Sequence, residues 1–342
     1  MTIAQRIVLA SRPTGVPTRD NFRLEETTLP DLSGGQIEVR VIWLSLDPYM
    51  RGRMDDAKSY AAPVPVGGTM EAGAVGVVTQ TAAEGFSEGD IVIGRFGWTS
   101  AAVADAADVR KVDRSLAPIS TALGVLGMPG HTAWVGLNDV LNAKPGETIV
   151  VSAATGAVGS LVGQLAKHKG LRVIGVAGGP EKCAFATQEF GFDACLDHRT
   201  DAASLTTQIK NAAPDGVDLY YENVGGITLE ATLANMNTFG RIAVCGMIAW
   251  YSGQGMDNAI ASPKIWRAIL TRRLRVQGFI IFDHNDRFAR FVSEVAPLVA
   301  DGTIRYRETV TNGLENAPSA FLQLLSGGNF GKQLVRVSED PS

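Results

Sequence analysis

The sequence predicts an α/β protein in which a β-rich region precedes a doubly wound parallel sheet. In the first third of the chain, short apolar segments are separated by glycine, which is typical of a barrel or sandwich. From Pro129 onward, strand patterns alternate with helical patterns, as in a parallel sheet covered by helices. The segments after Gly302 resemble the first region and are expected to rejoin it. The predicted domains are therefore 1–127 completed by 302–342, and 128–301.

The first region is expected to be built on the segment "QIEVRVIWLSLD". Apolar residues at every second position alternate there with Glu38 and Arg40, the period of a strand buried on one face. "EAGAVGVVTQ" and "EGDIVIGRFG" are further strands, and the tail adds "IRYRETV" and "KQLVRV" around one helix. Asp47 and Arg51 lie four residues apart, and this spacing predicts an ion pair across a helical turn.

The second region reads as strand and helix in turn. "GETIVVSAA" predicts a buried strand, followed by a helix from Ala157 to Lys169 that Gly170 ends. The remaining strands are "LRVIGVA", "DACLD", "GVDLYYENV", "GRIAVCG" and "RVQGFIIF". The helices between them are "PEKCAFATQEFG", "DAASLTTQIKNAA" and the segments near 228–236 and 262–273. This order predicts a parallel, doubly wound sheet.

The turn after the first of these strands has the spacing of a dinucleotide-binding motif. Ala154, Gly156 and Gly159 occupy its three small positions, with alanine in place of the usual first glycine. Gly156 would let the backbone approach a pyrophosphate, and Gly159 would let the helix pack closely on the strand. The N–H groups of the helix start, around Ala157 and Val158, would supply the anion site. Because a strand precedes the motif and a helix follows it, we expect it to bind a dinucleotide.

The second strand of this region indicates which dinucleotide. An NAD-binding protein usually places an acidic residue there to hold the ribose 2′-OH, but this strand ends in Gly178 and Gly179. Glu181 comes later, in the first turn of the next helix, where an acid suits the helix dipole. Lys182 could pair with a 2′-phosphate, although most lysines at such positions are simply solvated. The pattern favours NADP.

Composition and charge argue against several other classes of protein. The chain has 342 residues, 45% of them hydrophobic and 19% charged, with a net charge of −4. This balance gives no electrostatic reason to expect nucleic acid or an anionic membrane as partner. The start of the chain lacks a signal-peptide core, and no apolar stretch is long enough for a membrane span. Three cysteines scattered in the sequence, Cys183, Cys195 and Cys245, suit buried thiols in the cytoplasm.

The same residues argue against a bound metal. A catalytic zinc needs three His, Cys or acidic ligands, and a structural zinc needs about four clustered ligands. His131, His168, His198 and His284 are spread along the chain, and no short ligand spacing occurs. We therefore expect no metal site.

Several motifs in the order of the chain carry a family resemblance. "LSLDPYMRGRM", "LGVLGMPGHTAW", "GETIVVSAATGAVGSLVGQLAKHKG", "YENVGG", "CGMIAWY" and "GGNFGKQLV" resemble the zinc-independent medium-chain dehydrogenase/reductases. Within these the chain is most similar to the branch of prostaglandin reductases, alkenal/one reductases and bacterial curcumin-reductase-like proteins. The resemblance implies a GroES-like catalytic domain, a Rossmann domain and a homodimer formed through the Rossmann sheet edge. It also implies NADPH-dependent reduction of the C=C bond of α,β-unsaturated aldehydes or ketones.

Two tyrosines lie in motifs of this family. Without a metal, a hydrogen-bond donor must stabilise the charge that develops on the carbonyl oxygen, and a phenol, with a pKa of about 10, stays a donor at neutral pH. Tyr251 follows a strand of the second region, and Tyr49 lies in "DPYMR" of the first. The alternative interpretations are that Tyr251 is an aromatic side chain covering a loop and that Tyr49 is a phenol buried in the core. Trp250 and Ser252 in "IAWYSG" depart from the pattern of the branch and indicate an altered pocket wall.

The resemblance implies further cofactor contacts. Asn223 and Asn329 fit positions near the nicotinamide, its ribose or the phosphates, and Met128 would floor the nicotinamide pocket. Turn asparagines and a core methionine are the alternatives. Gly178, Cys245 and Phe279 complete this set of implied contacts.

One cofactor contact is specific to this chain. His198 stands where related reductases commonly have a tyrosine that touches the 2′-phosphate. The alternative is a solvent-facing His198, with Arg199 meeting the phosphate instead.

Three functions stay open at this point. The favoured one is an NADPH-dependent enone or enal reductase that acts on a small hydrophobic substrate. The second is a quinone or carbonyl reductase that uses the same cofactor. The third, from another class, is a protein that binds NADPH without turnover.

Overall fold

The computed structural model describes residues 2–257 and 259–341. The chain divides into two compact units, one ending at Gly124 and resuming at Glu308, the other running from Val125 to Arg307. The functional division drawn from the sequence, with boundaries at 127/128 and 301/302, stays a prediction.

The strands and helices are numbered here in chain order. The strands are β1 (Ile3–Leu9), β2 (Phe22–Thr28), β3 (Gln36–Ser45), β4 (Ala74–Thr81), β5 (Ile91–Gly94), β6 (Ala101–Asp105), β7 (Arg110–Lys111), β8 (Thr148–Ser152), β9 (Arg172–Ala177), β10 (Ala194–Asp197), β11 (Val217–Glu222), β12 (Met236–Val244), β13 (Arg275–Gly278), β14 (Glu308–Asn312) and β15 (Lys332–Arg336). The helices are α1 (Met128–Val135), α2 (Gly159–His168), α3 (Pro180–Gln188), α4 (Ala202–Ala212), α5 (Gly226–Asn235), α6 (Ser262–Arg272), α7 (Phe288–Ala300) and α8 (Ala317–Leu325).

The first unit is β-rich, as the glycine-punctuated pattern predicts. Its larger sheet has the order β14-β15-β3-β4-β5-β7, and β6 also pairs with β3. β1 and β2 form a separate antiparallel pair. The core of this unit contains stacked Phe22 and Trp98, with Phe321 of α8 edge-on to both rings. The tail of the chain therefore contributes Phe321 to the core of the first unit.

The prediction that β3 is buried on one face only is wrong. β3 lies inside the sheet, and even Glu38 is only 8% exposed. Hydroxyl groups of Thr2 and Thr79 donate to the Glu38 carboxylate at 3.0 Å and 2.9 Å. These bonds compensate part of the cost of burying the charge. The alternating pattern therefore reflects a buried carboxylate that its neighbours satisfy, rather than a solvent-facing side.

The predicted ion pair between Asp47 and Arg51 is also wrong. Arg51 pairs with Asp55 at 2.7 Å. Asp47 instead accepts a hydrogen bond at 2.6 Å from Nζ of Lys332, which comes from β15 and is 4% exposed. Asp47 and Arg51 share the spacing of a helical turn, but Asp47 only precedes the 3₁₀ turn that begins at Pro48.

The second unit is the predicted doubly wound sheet. Its strands are all parallel in the order β10-β9-β8-β11-β12-β13. In order along the chain these are strands 3-2-1-4-5-6 of the sheet, the arrangement of a Rossmann fold. The order reverses between β8 and β11, and ligands of such sheets bind at the carboxyl ends of the strands beside this point. The fold therefore directs attention to the loops that follow β8, β11 and their neighbours.

The β8–α2 unit follows from its sequence. All residues of β8 are buried, as an apolar strand inside a parallel sheet requires. α2 begins at Gly159, two residues after the predicted start, so Ala157 and Val158 belong to the turn. A Cβ on Gly163 of α2 would lie 1.9 Å from Cζ of Phe192, so the absence of a side chain allows close packing. Gly170 ends the helical segment with a φ of 80°.

Within the described part of the chain, none of the helices is both long enough and apolar enough to cross a membrane.

Candidate active site

The turn after β8 is held by backbone geometry. Ala153, and not Ala154, takes the left-handed conformation, with a φ of 48°. Ala154 is fully buried, and its N–H donates to the Val176 carbonyl of β9 at 3.0 Å. A Cβ on Gly175 of β9 would lie 2.8 Å from the Ala154 methyl. Alanine is therefore tolerated at the first motif position because β9 supplies a glycine opposite it.

The two motif glycines have different local surroundings. A Cβ on Gly159 would lie 2.3 Å from the Ala153 carbonyl oxygen, so a side chain there would clash with the turn. A Cβ on Gly156 would lie 3.2 Å from the same oxygen, a tight but less severe contact. The roles of Ala154, Gly156, Ala157, Val158 and Gly159 in holding a cofactor stay predictions. The turn does have the close approach of backbone to helix that such a motif requires.

A cluster of cationic side chains lies at the ends of β9 and β10. A Cβ on Gly178 would lie 3.0 Å from Nε2 of His198, and one on Gly179 would lie 2.8 Å from Nη1 of Arg199. Desolvation lowers the pKa of Lys182, and the Arg199 charge lowers it further. The predicted contacts Gly178, Lys182 and His198 are therefore brought together, and Arg199 joins them.

Asp197 organises this cluster. Its Oδ1 accepts the N–H of Gly179 at 2.9 Å and the N–H of Arg199 at 3.0 Å. Desolvation opposes ionisation, but these two bonds and the Arg199 charge hold the pKa of Asp197 below its usual value. For His198, desolvation lowers the pKa, Asp197 opposes this shift, and Arg199 adds to it. The carboxylate thus fixes the turn while the cations next to it disfavour protonation of His198.

Asn223 lies at the end of β11, beside the switch point. Its side-chain amide donates to the Ser152 carbonyl at 2.8 Å, and its own N–H donates to Oγ of Ser152 at 2.8 Å. Ser152 is the last residue of β8, so these bonds tie together the two strands at which the order reverses. The predicted cofactor contact of Asn223 is not tested by this geometry, but the side chain is firmly positioned.

Tyr251 lies over the loop that follows β12. Its hydroxyl oxygen accepts the Met247 N–H at 3.2 Å. A Cβ on Gly246 would lie 2.9 Å from that oxygen and 3.4 Å from the Asn223 carbonyl. The phenol is half-buried. Its loop, residues 245–251, is hydrogen-bonded to the loop that begins at Asn223, and these two loops together are called the loop cluster. The N–H bond polarises the phenol and strengthens it as a donor.

The other residues of this unit that are predicted to contact the cofactor lie at the ends of neighbouring strands and at the start of α1. The Cys245 N–H donates to the Glu222 carbonyl at 2.9 Å, and burial raises the pKa of its thiol to about 12. Phe279 follows β13 and packs edge-on against Tyr221. Met128 is the first residue of α1 and is half-buried, with its carbonyl accepting the hydroxyl of Thr132 at 2.8 Å. All three roles stay predictions.

Trp250 has a defined position that the sequence pattern did not reveal. A Cβ on Gly225 would lie 2.7 Å from its ring, and Gly225 has a φ of 81°. Glycine at the start of α5 therefore makes room for the indole. This packing places Trp250 beside the Asn223 loop, where it forms part of the wall of the loop cluster.

Tyr49 and Asn329 belong to the first unit. Tyr49 lies on the 3₁₀ turn that follows Asp47, and burial, together with the charge of Asp47, raises its pKa well above the usual value. The Arg53 guanidinium lies 5.6 Å from the centre of its ring. The Asn329 amide donates to the Gly331 carbonyl at 2.7 Å, as in a turn asparagine. Their predicted catalytic and cofactor roles stay predictions.

Glu222 is an organising residue that sequence reasoning missed. It is 2% exposed, and its Oε1 accepts N–H groups of Val224 at 2.7 Å and Gly225 at 3.0 Å. Burial raises the pKa of this carboxyl group. The signal that could have found it is the acid that directly follows the apolar residues 219–221 at the end of this strand.

No metal-binding group is formed among residues 2–257 and 259–341. No three His, Cys, Asp or Glu side chains in these ranges lie in positions to hold a metal ion together.

The β-rich unit and the Rossmann unit define a two-domain reductase of the medium-chain type. A family model described as "N-terminal domain of oxidoreductase" matches residues 5–112, and one described as "Zinc-binding dehydrogenase" matches residues 157–296. The chain belongs to the zinc-independent medium-chain dehydrogenase/reductase family, in the branch that includes curcumin, prostaglandin and 2-alkenal reductases. This confirms the family and fold that the sequence motifs predict.

Individual relatives cover almost the whole chain. The NADPH-dependent curcumin reductase of Escherichia coli (strain K12) is 47% identical over 341 residues, 98% of this chain and 97% of the relative. Prostaglandin reductase 1 of Rattus norvegicus is 38% identical over 341 residues, 98% of this chain and 100% of the relative. The crystal structure of CurA in complex with NADPH from Vibrio vulnificus matches with a TM-score of 0.93 and 44% identity, covering 98% of this chain and 100% of that chain.

Proposed function

We propose that this protein reduces the C=C bond of α,β-unsaturated aldehydes and ketones with NADPH. The observation that carries the proposal is the Tyr251 hydroxyl, which lies on the loop after β12 at the carboxyl edge of the Rossmann sheet. The names of the relatives, curcumin reductase, prostaglandin reductase and 2-alkenal reductase, support a C=C bond next to a carbonyl group as the reacting unit.

The residues of the Rossmann unit fit NADPH. The start of α2 packs closely on the turn from Ala153 to Gly159, since a Cβ on Gly159 would lie 2.3 Å from the Ala153 carbonyl oxygen. The N–H groups at this helix start would bind the pyrophosphate. Lys182, His198 and Arg199 could hold the 2′-phosphate, and Asp197 keeps the turn between them in place. When bound, NADPH supplies the hydride that is added to the β-carbon.

The chemical task of the protein is to stabilise charge. As hydride reaches the β-carbon, negative charge develops on the carbonyl oxygen of the substrate, and a hydrogen bond from Tyr251 would stabilise it. The Met247 N–H polarises the phenol, and the loop fixes its oxygen above Gly246. This role requires no metal, and we propose that none takes part. The Trp250 ring beside this loop favours a small hydrophobic substrate.

Product analysis tests this proposal. The protein is incubated with NADPH and a panel of enones, enals, quinones and simple ketones, with and without a metal chelator. Loss of NADPH absorbance with a saturated carbonyl as product, unaffected by the chelator, is expected. An alcohol or hydroquinone as product would instead indicate the carbonyl or quinone reductase. Tight binding of NADPH without its consumption would indicate a binding protein. Stoichiometric zinc in the purified protein, together with loss of activity when the chelator is added, would overturn metal independence.

His198 is expected to make NADPH binding depend on pH. In the free protein its pKa is lowered by desolvation and by Arg199, and a phosphate dianion beside it would raise the pKa in the complex. A group whose pKa rises on binding strengthens affinity below its free-state pKa and loses this effect above its bound-state pKa. Affinity is therefore expected to be highest at acidic pH and to fall as pH increases. Dissociation constants for NADPH from about pH 5 to 8.5 measure this around the ordinary histidine pKa of about 6.5.

The matched controls are His198→Gln and His198→Tyr. The phosphate itself titrates near pH 6, so these variants, rather than NADH, isolate the histidine contribution. The guanidinium of Arg199 lies at the same end of the sheet and could hold the phosphate without His198, so some preference for NADPH over NADH is expected at high pH. Equal pH slopes in all three proteins would show that His198 does not contact the phosphate.

We also propose a homodimer through the β13 edge of the Rossmann sheet. β13 is exposed along its length, and Val276 on it is 43% exposed. Trp266 and Leu270 of the neighbouring α6 are 66% and 77% exposed. Unpaired strand edges and large exposed apolar side chains commonly mark protein interfaces.

Light scattering after size exclusion tests the dimer. The protein is expected to elute with twice the mass of one chain, and Val276→Asp is expected to shift it toward the monomer by placing two carboxylates across a two-fold axis. Val310→Asp is the control, since Val310 is equally exposed, at 43%, on the edge strand β14 of the other unit. A monomeric parent protein, or equal effects of both variants, would contradict this interface.

We place the protein in the cytoplasm, because Cys183, Cys195 and Cys245 are all free thiols, as is usual in reducing compartments.

A further inference from the structure

Two of the three cysteines, scattered in the sequence, meet in the fold. Cys183 lies in the first half of α3 and Cys195 lies in β10, and their side chains are hydrogen-bonded to each other. Both are half-buried free thiols. The sequence analysis does not predict this contact, which forms because α3 packs directly beside β10.

The two thiols differ in their chemistry. The hydrogen bond from Cys195 lowers the pKa of Cys183, although burial and the Asp197 charge oppose this shift. The same bond, together with burial, raises the pKa of Cys195. The thiolate is the reactive form of cysteine, and thiolates are favoured near helix N-termini. Since Cys183 lies in the first half of α3, we assign it as the attacking thiol and Cys195 as its partner.

The pair shares its two elements with the cationic cluster. Cys183 directly follows Lys182 in α3. Cys195 lies two residues before Asp197, whose carboxylate accepts hydrogen bonds from the N–H groups of Gly179 and Arg199. The Cys195 sulfur also packs against β9, since a Cβ on Gly175 would lie 3.1 Å from it. A change at the pair would therefore be transmitted to the cluster through very short stretches of chain.

We propose that Cys183 and Cys195 are a modification site, which a hydroperoxide oxidises to a reversible disulfide that weakens NADPH binding. The Cys183 thiolate attacks one peroxide oxygen, the O–O bond breaks and water leaves, which gives a sulfenic acid. The Cys195 sulfur then attacks the Cys183 sulfur, the S–O bond breaks and a second water leaves. In total two thiols and one H₂O₂ give one disulfide and two waters, and the two electrons pass from sulfur to the peroxide oxygens.

Bond formation would change the geometry of the cluster. The S–S bond is about 2.05 Å long, shorter than the separation of two hydrogen-bonded thiols, so its formation is expected to draw the start of α3 toward β10. This movement would displace Lys182 relative to His198 and Arg199. The effect on NADPH rests on the proposed function, whereas formation of the disulfide does not. Bound NADPH is expected in turn to slow oxidation, because it would hold the cluster in its reduced geometry.

Peptide mapping tests the disulfide. The reduced full-length protein is treated with stoichiometric H₂O₂, alkylated and digested without reductant. A linked peptide containing Cys183 and Cys195, two hydrogens lighter than the sum of its parts and cleaved by dithiothreitol, is expected. In Cys195→Ser the sulfenic acid on Cys183 is expected to persist and to react with dimedone. Absence of the linked peptide, or equal dimedone labelling of the parent and Cys195→Ser, would overturn the proposal.

Cofactor titration tests the consequence. Loss of one charge-assisted hydrogen bond to the phosphate corresponds to about tenfold weaker binding. The linked protein is expected to show this increase in the NADPH dissociation constant and to recover on reduction, while Cys183→Ser treated in the same way keeps its affinity. Unchanged affinity of the fully linked protein would refute the coupling. If the reduced protein does not bind NADPH at all, the proposed function fails, and the peptide map alone still decides whether the disulfide forms.

Discussion

Tyr251→Phe is expected to slow the reduction of an α,β-unsaturated ketone by about 10²- to 10³-fold, the usual cost of losing one donor to a developing oxyanion. The variant keeps the ring that packs over Gly246 and loses only the hydroxyl group. The NADPH dissociation constant is therefore expected to stay close to that of the parent. Single-turnover measurements of NADPH consumption separate the chemical step from product release.

Tyr306→Phe is the matched control for this experiment. Tyr306 lies in the same unit as Tyr251 and is 36% exposed, and its loss of a hydroxyl is expected to leave the rate unchanged. A parent-like single-turnover rate in Tyr251→Phe would remove this phenol from the mechanism. It would instead assign the charge stabilisation to another donor, such as a ribose hydroxyl of the cofactor.

Lys332→Met is expected to destabilise the protein by about 3–5 kcal/mol, the usual cost of leaving a buried charge without its partner. Lys332 donates to Oδ1 of Asp47 at 2.6 Å and to the Leu46 carbonyl at 2.8 Å. Burial lowers the pKa of Lys332, and the Asp47 charge opposes this shift. Denaturant unfolding measures the loss, which is expected to appear in the β-rich unit.

A double variant and a surface control complete this test. Asp47→Asn with Lys332→Met removes both charges, so the pair is expected to be less destabilised than Lys332→Met alone. Lys264 pairs with Glu230 at 3.7 Å, and its side chain is 70% exposed, so Lys264→Met is expected to cost less than about 1 kcal/mol. Equal losses in Lys264→Met and Lys332→Met would contradict a special role of the buried pair.

The sequence predicts best what is determined locally. The β8–α2 turn was identified because an apolar strand, small residues and a helix follow one another, and steric limits then leave few conformations. Gly170 ends the helical segment for the same kind of reason, since glycine readily adopts a positive φ. The alternation of strands and helices was sufficient to predict the parallel sheet of the second unit.

Contacts between distant segments were not predictable in this way. The four-residue spacing predicts a pair between Asp47 and Arg51, whereas the partner of Asp47 is Lys332 on β15, at the far end of the chain. Strands β1 and β2 were missed because their charged residues obscure the period, although they pair in full register. β3 was expected to face solvent on one side because nothing in its own residues indicates what covers it.

In the candidate site, too, features fixed by local sequence are predictable and contacts between distant segments are not. The motif positions from Ala154 to Gly159 follow from local pattern, and the ends of parallel strands bring Gly178 and His198 together by topology. Glu222 was missed because its importance lies in accepting backbone N–H groups of a loop whose conformation the sequence does not reveal. The contact between Cys183 and Cys195 likewise depends on how α3 packs against β10.

The late position of β15 in the chain has a consequence for how the protein is made. β15 pairs with residues 43–45 of β3, and its Lys332 neutralises Asp47, so the β-rich unit cannot close before this strand has been synthesised. A ribosome adds roughly 5–20 residues per second, so the first 124 residues wait about 10–40 s for it. The Rossmann unit, which is continuous in the chain, is complete earlier. The nascent β-rich segment therefore has an open strand edge during this interval, and this is the stage at which a chaperone would protect it most.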